Sequence, residues 1–366
     1  MAEQFIEYTT EEPITEEFGS GYTDDYDKSF PTGLCDKSWV RDFRAQYEPP
    51  LFWVIFVLGA VGNLMVVWIY TTVRHRLKTM TDMYLLNLAV ADLLFLGTLP
   101  FWAADALKGW EFGLGFCKVM SAVYKINFFS SMLLLTCISV DRYISIVQVT
   151  KAHNLKGKRL FYSKLACLGV WTISTLLALP EFIFAQLKKG QQDLSFCTMV
   201  YGENLHNRTK ILVLSLQICM GFCLPLLVMT LCYSVIVKTL MQARSFEKHK
   251  ALRVILAVVA VFVLSQLPYN SLLVIEASQA ANITITDCSL VKQFDVAGQV
   301  AKSLAYTHAC INPLLYVFIG VRFRRDLVSM LKRCSCALGS QGSLSKTVPK
   351  RPSVMSDTES TPALSL

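Results

Sequence analysis

Seven long apolar runs alternate with short polar links along the chain, near Leu51–Val73, Met83–Leu107, Cys117–Val147, Lys164–Ala185, Ile211–Leu240, Leu252–Ala277 and Phe294–Ile319. Each exceeds the about 20 helical residues that cross a hydrocarbon core of about 30 Å. Short links make successive spans antiparallel neighbours. The pattern predicts an all-α membrane protein, a seven-transmembrane helix bundle over residues 49–320. Past the seventh run, Phe323, Leu327, Val328 and Leu331 recur at helical spacing opposite a basic face. That predicts a short amphipathic eighth helix over 321–334, lying on the membrane surface.

The flanks lack this periodicity. Residues 1–48 read as an acidic arm: from Met1 to Leu34 there are nine acids against one base, a composition that favours disorder. Residues 335–366 are rich in Ser and Thr, with Pro349, Pro352 and Pro362, and read as a second disordered segment. Bases cluster after the first, third, fifth and seventh runs: Arg74, Arg76 and Lys78; Lys156, Lys158 and Arg159; Arg244, Lys248 and Lys250; Arg322, Arg324 and Arg325. By the positive-inside rule these links face the cytoplasm, which places the acidic arm on the outer side of a multi-pass membrane protein and the tail within the cell. Asn207 and Asn282 open Asn-x-Thr glycosylation acceptors, both on the expected outer side. The first thirty residues show neither a basic nor an apolar leader pattern, so the first span is expected to act as its own insertion signal.

Composition narrows the function classes. The chain of 366 residues is 53% hydrophobic and 17% charged, where a soluble domain carries about 25% charged residues. Its basic groups follow apolar runs instead of gathering on one polar face, which excludes a nucleic-acid partner. No nucleophile–base pair, metal-ligand spacing or phosphate loop marks an enzyme, and no repeat of helical hairpins marks a transporter. Of twelve cysteines, Cys35, Cys117, Cys197 and Cys288 fall on the outer side, an even number that suggests two disulfides.

A charge within a span costs about 2.5–3.5 kcal/mol, so each one is a functional candidate. Asp92, with Asn63, Ser131 and Asn312 at comparable depth and Asn127 and Ser130 nearby, would suit a water network, a sodium ion or a polar knot that only joins helices. At the inner end of the third run, Asp141, Arg142 and Tyr143 stand together. They suggest a two-state element: an Asp141–Arg142 pair in one arrangement, and Arg142 bonded to Tyr233 or Tyr316 in the other. The bland alternative is a charge pair that anchors the helix end. Pro100, Pro180, Pro225, Pro268 and Pro313 each sit within a run, where proline bends a helix, and bent spans leave a cavity between them. Lys125, Glu276, Asp295 and Lys302, with Trp102, Tyr124, Tyr269 and Tyr306, are expected to line its outer half and to bind a polar ligand such as a peptide.

Taken together, Gly62–Asn63, "LAVADLL" (Leu88–Leu94), "DRY" (Asp141–Tyr143), Pro225 with Tyr233, Pro268 and "NPLLY" (Asn312–Tyr316) resemble the rhodopsin-like G-protein-coupled receptors. "TLPFWA" (Thr98–Ala103) and "DRYISIV" are similar to the C-C chemokine receptors among them. The resemblance implies a C-C chemokine ligand, a G protein of the inhibitory class as transducer with Arg142 as its contact, and disulfides Cys117–Cys197 and Cys35–Cys288. It further implies that Tyr22 and Tyr26, beside Asp24, Asp25 and Asp27, are sulfated and receive the ligand. Receptor kinases and arrestins would act on the tail, and palmitoyl groups on Cys334 and Cys336 would meet membrane lipid. No cofactor is expected beyond an allosteric sodium ion at Asp92. A scavenging receptor that internalises chemokine without G-protein signalling is the nearest rival. Two departures from the family pattern stand out: Gln266 replaces the tryptophan usual two residues before the span-six proline, and Lys302 stands where many members carry Glu.

Overall fold

The computed structural model describes residues 36–73, 79–148, 157–189, 194–201, 206–242, 248–280, 287–319, 324–325 and 327–329. For residues 73, 206–207, 248–259, 262 and 315–319 it describes the backbone alone. The first span is α1 (Ser38–Trp68), closing in a π turn over Ile69–Val73. The second is α2 (Met80–Leu96) with α3 (Leu99–Lys108), the third α4 (Leu114–Ile146), and the fourth α5 (Arg159–Leu177) with α6 (Leu179–Phe184). A hairpin of β1 (Ala185–Lys189) and β2 (Ser195–Met199) follows. The fifth span is α7 (His206–Ile218), a π segment Cys219–Cys223 and α8 (Leu224–Gln242). The sixth is α9 (Lys248–Ala280), and the seventh α10 (Cys288–Tyr306) with α11 (His308–Ile319).

Five of these spans are long and apolar enough to cross a membrane, and α9 and α10–α11 complete a seven-helix bundle. Much of the apolar surface faces outward, as at Trp53, Val57, Leu58, Val61 and Leu64 of α1. A lipid solvent tolerates that surface because helices satisfy their own backbone groups. Inside, α4 runs through the middle of the bundle and packs on α2, α5, α6 and α8.

Local chemistry explains the breaks. Pro100 and Pro180 are each the second residue of a new helical segment, where a missing N–H removes no intrahelical bond, and Pro225 is the second residue of α8, directly after the π segment. Pro268 and Pro313 lie within α9 and α11. At the joints the backbone bonds shorten to i→i−3: Thr98 N to Phe95 O at 2.8 Å, Glu181 N to Ala178 O at 3.2 Å, and Thr307 N to Leu304 O at 3.2 Å. Such tight turns carry a chain through a change of axis. The start of α2 is fixed by a capping box between Thr79 and Asp82, both bonds 3.1 Å. Ahead of α1, exposed Asp36 accepts from the Ser38 amide and hydroxyl at 2.9 and 2.8 Å. Those hydrogen bonds hold its carboxyl below the usual range.

Two features depart from the reading of the sequence. Residues 38–48, expected in the disordered arm, form the first turns of α1, and the helix continues through Pro49 and Pro50. These prolines withhold N–H groups from two carbonyls, but Arg44 and Glu48 are buried against the bundle and Phe52 is fully buried one turn on, which anchors both sides of the interruption. The hairpin lies in a link read only as polar. Two strands alone are marginal. This pair is held by the Cys117–Cys197 disulfide, Cα atoms 5.7 Å apart, and by Trp110 N donating to Ser195 O at 2.6 Å. Gly109 has φ 79°, and a Cβ there would meet Ser195 O at 2.7 Å, so only glycine lets the loop approach the strand. Of the surface segment expected over 321–334, Arg324, Arg325 and Leu327–Ser329 are helical, and Leu327 packs against Val66, Ile69, Tyr70 and Ala89. The rest of it lies outside the described residues.

Candidate functional site

Three groups of polar side chains run down the bundle axis. At the hairpin end, α1, α3, α4, α9 and α10 surround an aromatic floor. Tyr306 meets Phe95, Tyr124 and Phe52 with ring centroids 5.0, 5.4 and 5.8 Å apart, and Trp102 lies 5.1 Å from Trp110. Over this floor stand buried ions. Arg44 joins Glu48 at 2.9 Å and Asp105 at 2.6 Å. Lys125 hydrogen-bonds Gln217 and pairs with Glu181 at 3.5 Å. Lys210 pairs with Glu276 at 3.2 Å and Lys37 with Asp295 at 2.9 Å. Lys302, 8% exposed, lies 5.6 Å from the centroid of the Tyr306 ring. Beyond β2, Tyr201 packs on Phe184 at 5.2 Å, and burial pushes its phenol up. This tier offers rings for apolar contact and ion pairs that a charged peptide can replace one for one.

The middle tier centres on Asp92, which is fully buried. Its carboxylate accepts from Asn312 at 2.9 Å, Asn127 at 3.3 Å and Ser131 at 3.4 Å. His308 Nε2 stands 3.7 Å away, while His308 Nδ1 is 2.7 Å from Ala305 O. Gln266 donates to the same carbonyl at 3.3 Å, so the position that lacks the usual tryptophan reaches Asp92 through Ala305 and His308. Asn63 donates instead to Gly59 O and Ala309 O at 2.9 and 2.8 Å, tying the first span to the seventh beside this group. A sodium ion needs oxygen ligands, and here Asp92 and Ser131 supply them. Asn127 and Asn312 turn N–H groups toward the carboxylate, so as arranged the side chains satisfy one another, and a cation would have to displace amide donors.

At the opposite end, Asp141 is buried but is not paired with its neighbour Arg142. It accepts from Thr81 at 2.7 Å and from Arg159 at 2.6 Å. Arg142 has no ion-pair partner among the described residues. Tyr233 accepts from Ser139 at 3.0 Å. Tyr143 accepts from Gln148 at 3.2 Å. The adjacent-pair arrangement expected from the sequence is therefore replaced by a cross-helix one, because neighbours on a helix point about 100° apart while Arg159 approaches Asp141 head-on from the start of α5.

Of the sequence candidates, Trp102, Tyr124, Lys125, Tyr269, Glu276, Asp295, Lys302 and Tyr306 do gather at the hairpin end, and Asp92, Ser131 and Asn312 share the middle tier. Cys288 is disulfide-bonded. Its expected partner Cys35 lies outside the described residues, as do Tyr22, Asp24, Asp25, Tyr26, Asp27, Asn282, Cys334, Cys336 and the side chains of Asn207 and Tyr316. Sequence reasoning missed Arg44, Glu48, Asp105, Glu181, His308 and Arg159. Glu181 and His308 were legible as polar groups inside apolar runs.

Comparison with known proteins agrees with this arrangement. The family model described as 7 transmembrane receptor (rhodopsin family) matches residues 62–316. The chain is 47% identical over 320 residues to C-C chemokine receptor type 9 of Mus musculus, covering 87% of this chain and 86% of that one. It is 45% identical over 332 residues to C-C chemokine receptor type 9 of Homo sapiens, covering 90% and 89%. To C-C chemokine receptor type 7 of Homo sapiens it is 45% identical over 327 residues, covering 89% and 85%.

Proposed function

We infer function from kinship: the chain belongs to the rhodopsin family of seven-transmembrane receptors and, within it, to the C-C chemokine receptors. It is a multi-pass plasma-membrane receptor, in a family of receptors and not of enzymes. We propose that it binds a C-C chemokine at the hairpin end, facing outward, and activates inhibitory-class G proteins at the other, raising intracellular calcium and driving leukocyte chemotaxis. The single observation that carries the reading is the identity of 45–47% to type 9 receptors over nearly the whole bundle. The stretches "KTMTDMYLLNLAVADLLFL", "CTMVY", "KHKAL", "QLPYN" and the terminal "ALSL" also resemble type 9, which points to the thymus-expressed chemokine as ligand. "QARSFE" and the "NIT" before Cys288 favour a type 7-like alternative.

Physically, the nine acids of residues 1–34 would attract a basic chemokine from a distance. Its flexible N-terminus would then enter between the ion pairs above Tyr124 and Tyr306. Agonism requires tighter contacts in one arrangement of the bundle than in the other, since a ligand shifts an equilibrium only by its difference in affinity. Sulfated Tyr22 and Tyr26, phosphorylated tail serines read by arrestins, and lipid on Cys334 and Cys336 complete the proposal. Calcium release and cyclic-AMP inhibition, scored against a panel of purified chemokines in cells expressing the full chain, test it. A response to the thymus-expressed chemokine is expected. Silence to every chemokine would overturn the signalling reading, and uptake of chemokine without either signal would favour a scavenger.

A further inference from the structure

Arg159 is the first residue of α5, where the helix dipole disfavours a cation, so an arginine there needs a compensating anion. Asp141 provides it across 2.6 Å, and the same Nη2 donates to Ser145 at 2.9 Å while Nε approaches Met80 Sδ at 3.4 Å. Thr81 of α2 occupies the second carboxylate oxygen at 2.7 Å. Asp141 is thereby held from α2 and α5 at once, with both oxygens engaged. The side chain of Asp141 is 6% exposed and that of Arg159 29%, so water competes little for the carboxylate.

The geometry points to Arg159 as a positioning residue of the switch: by holding Asp141 from the start of α5, it keeps that carboxylate from capturing Arg142 and leaves the Arg142 guanidinium available to a transducer. The inference rests on the receptor reading above and adds to it the group that sets Arg142 free. Without Arg159, the Asp141 carboxylate loses its ion pair while Arg142 stays next to it along α4, and the equilibrium moves toward the paired, silent arrangement.

The test uses the full chain in cell membranes at matched surface density, reading GTPγS loading on inhibitory-class G protein with and without purified thymus-expressed chemokine. Arg159→Ala is expected to lower ligand-free loading, or to raise the half-maximal chemokine concentration, by about fivefold or more, the low end of common coupling strengths, while maximal chemokine binding is retained. Arg159→Lys, which keeps the charge, is expected to recover most of the loss. In an Asp141→Asn background Arg159→Ala is expected to do nothing further, because the competing carboxylate charge is gone. Loading equal to or above wild type in Arg159→Ala overturns the inference, as does an equal drop in the Asp141→Asn background, which would assign Arg159 a merely structural part. If Arg159→Ala fails to reach the surface, Arg159→Gln is judged by the same two comparisons. A wild-type receptor that loads no G protein with any chemokine overturns the receptor reading and this inference together, whereas a responsive wild type with indifferent Arg159 variants overturns this inference alone.

Discussion

Arg44 holds two buried carboxylates together, and its loss leaves Glu48 and Asp105 facing each other without it. Deleting one partner of a buried pair costs about 3–5 kcal/mol. Arg44→Ala is therefore expected to lower the thermal midpoint of the purified receptor well below that of Lys37→Ala, whose base is 28% exposed; equal midpoints would mean that water screens the trio. Arg142→Ala is expected to abolish nucleotide exchange and to spare chemokine binding at the surface, measured on the same cells, and unchanged exchange would remove Arg142 from the mechanism. At this scale the sequence was legible wherever a polar group interrupts an apolar run, as Asp92 and Lys125 do. It was mute about pairing. Arg159 counted only as one of the bases that mark sidedness, and its contact with Asp141, 18 residues back, crosses a link whose course no periodicity encodes. Glu48 stood hidden ahead of Pro49–Pro50, a dipeptide that ordinarily ends a helix.

Among the elements, the fifth span depends on a single missing side chain. A Cβ on Gly221, in the π segment, would collide with the edge of the Phe128 ring, so Gly221→Ala is expected to cost about 1–3 kcal/mol by overpacking. Phe128→Leu in the same molecule is expected to restore much of the thermal midpoint; a fall that the second change deepens would show that the π segment itself, and not the ring, is the obstacle. Hydropathy gave the seven spans because lipid imposes one requirement on each of them. The joints at Thr98 and Ala178 were foreseen only as proline bends, since the pattern cannot tell a kinked helix from two segments meeting in a tight turn. The hairpin was invisible for another reason: strands of five residues carry too little alternation to stand out from a polar link, and Cys117–Cys197 supplies the stability that their sequence lacks.

For the molecule as a whole, the basic clusters predict that residues 1–34 and the tail lie on opposite sides of the membrane. Epitope tags at the two ends should be stained in intact cells at the N-terminus and only after permeabilisation at the C-terminus; both tags in one compartment would overturn the topology and the mechanism built on it. Raising ionic strength from low salt is expected to slow chemokine association steeply and to alter dissociation less, since screening acts on long-range attraction. The buried charges at the hairpin end act differently. Glu48, Asp105, Glu181, Glu276 and Asp295 each already hold a base, so a newcomer gains only the difference between its own bond and the incumbent's. A charged peptide entering there would have to replace those bonds, and one whose charges fall in the wrong order would leave the resident couples standing.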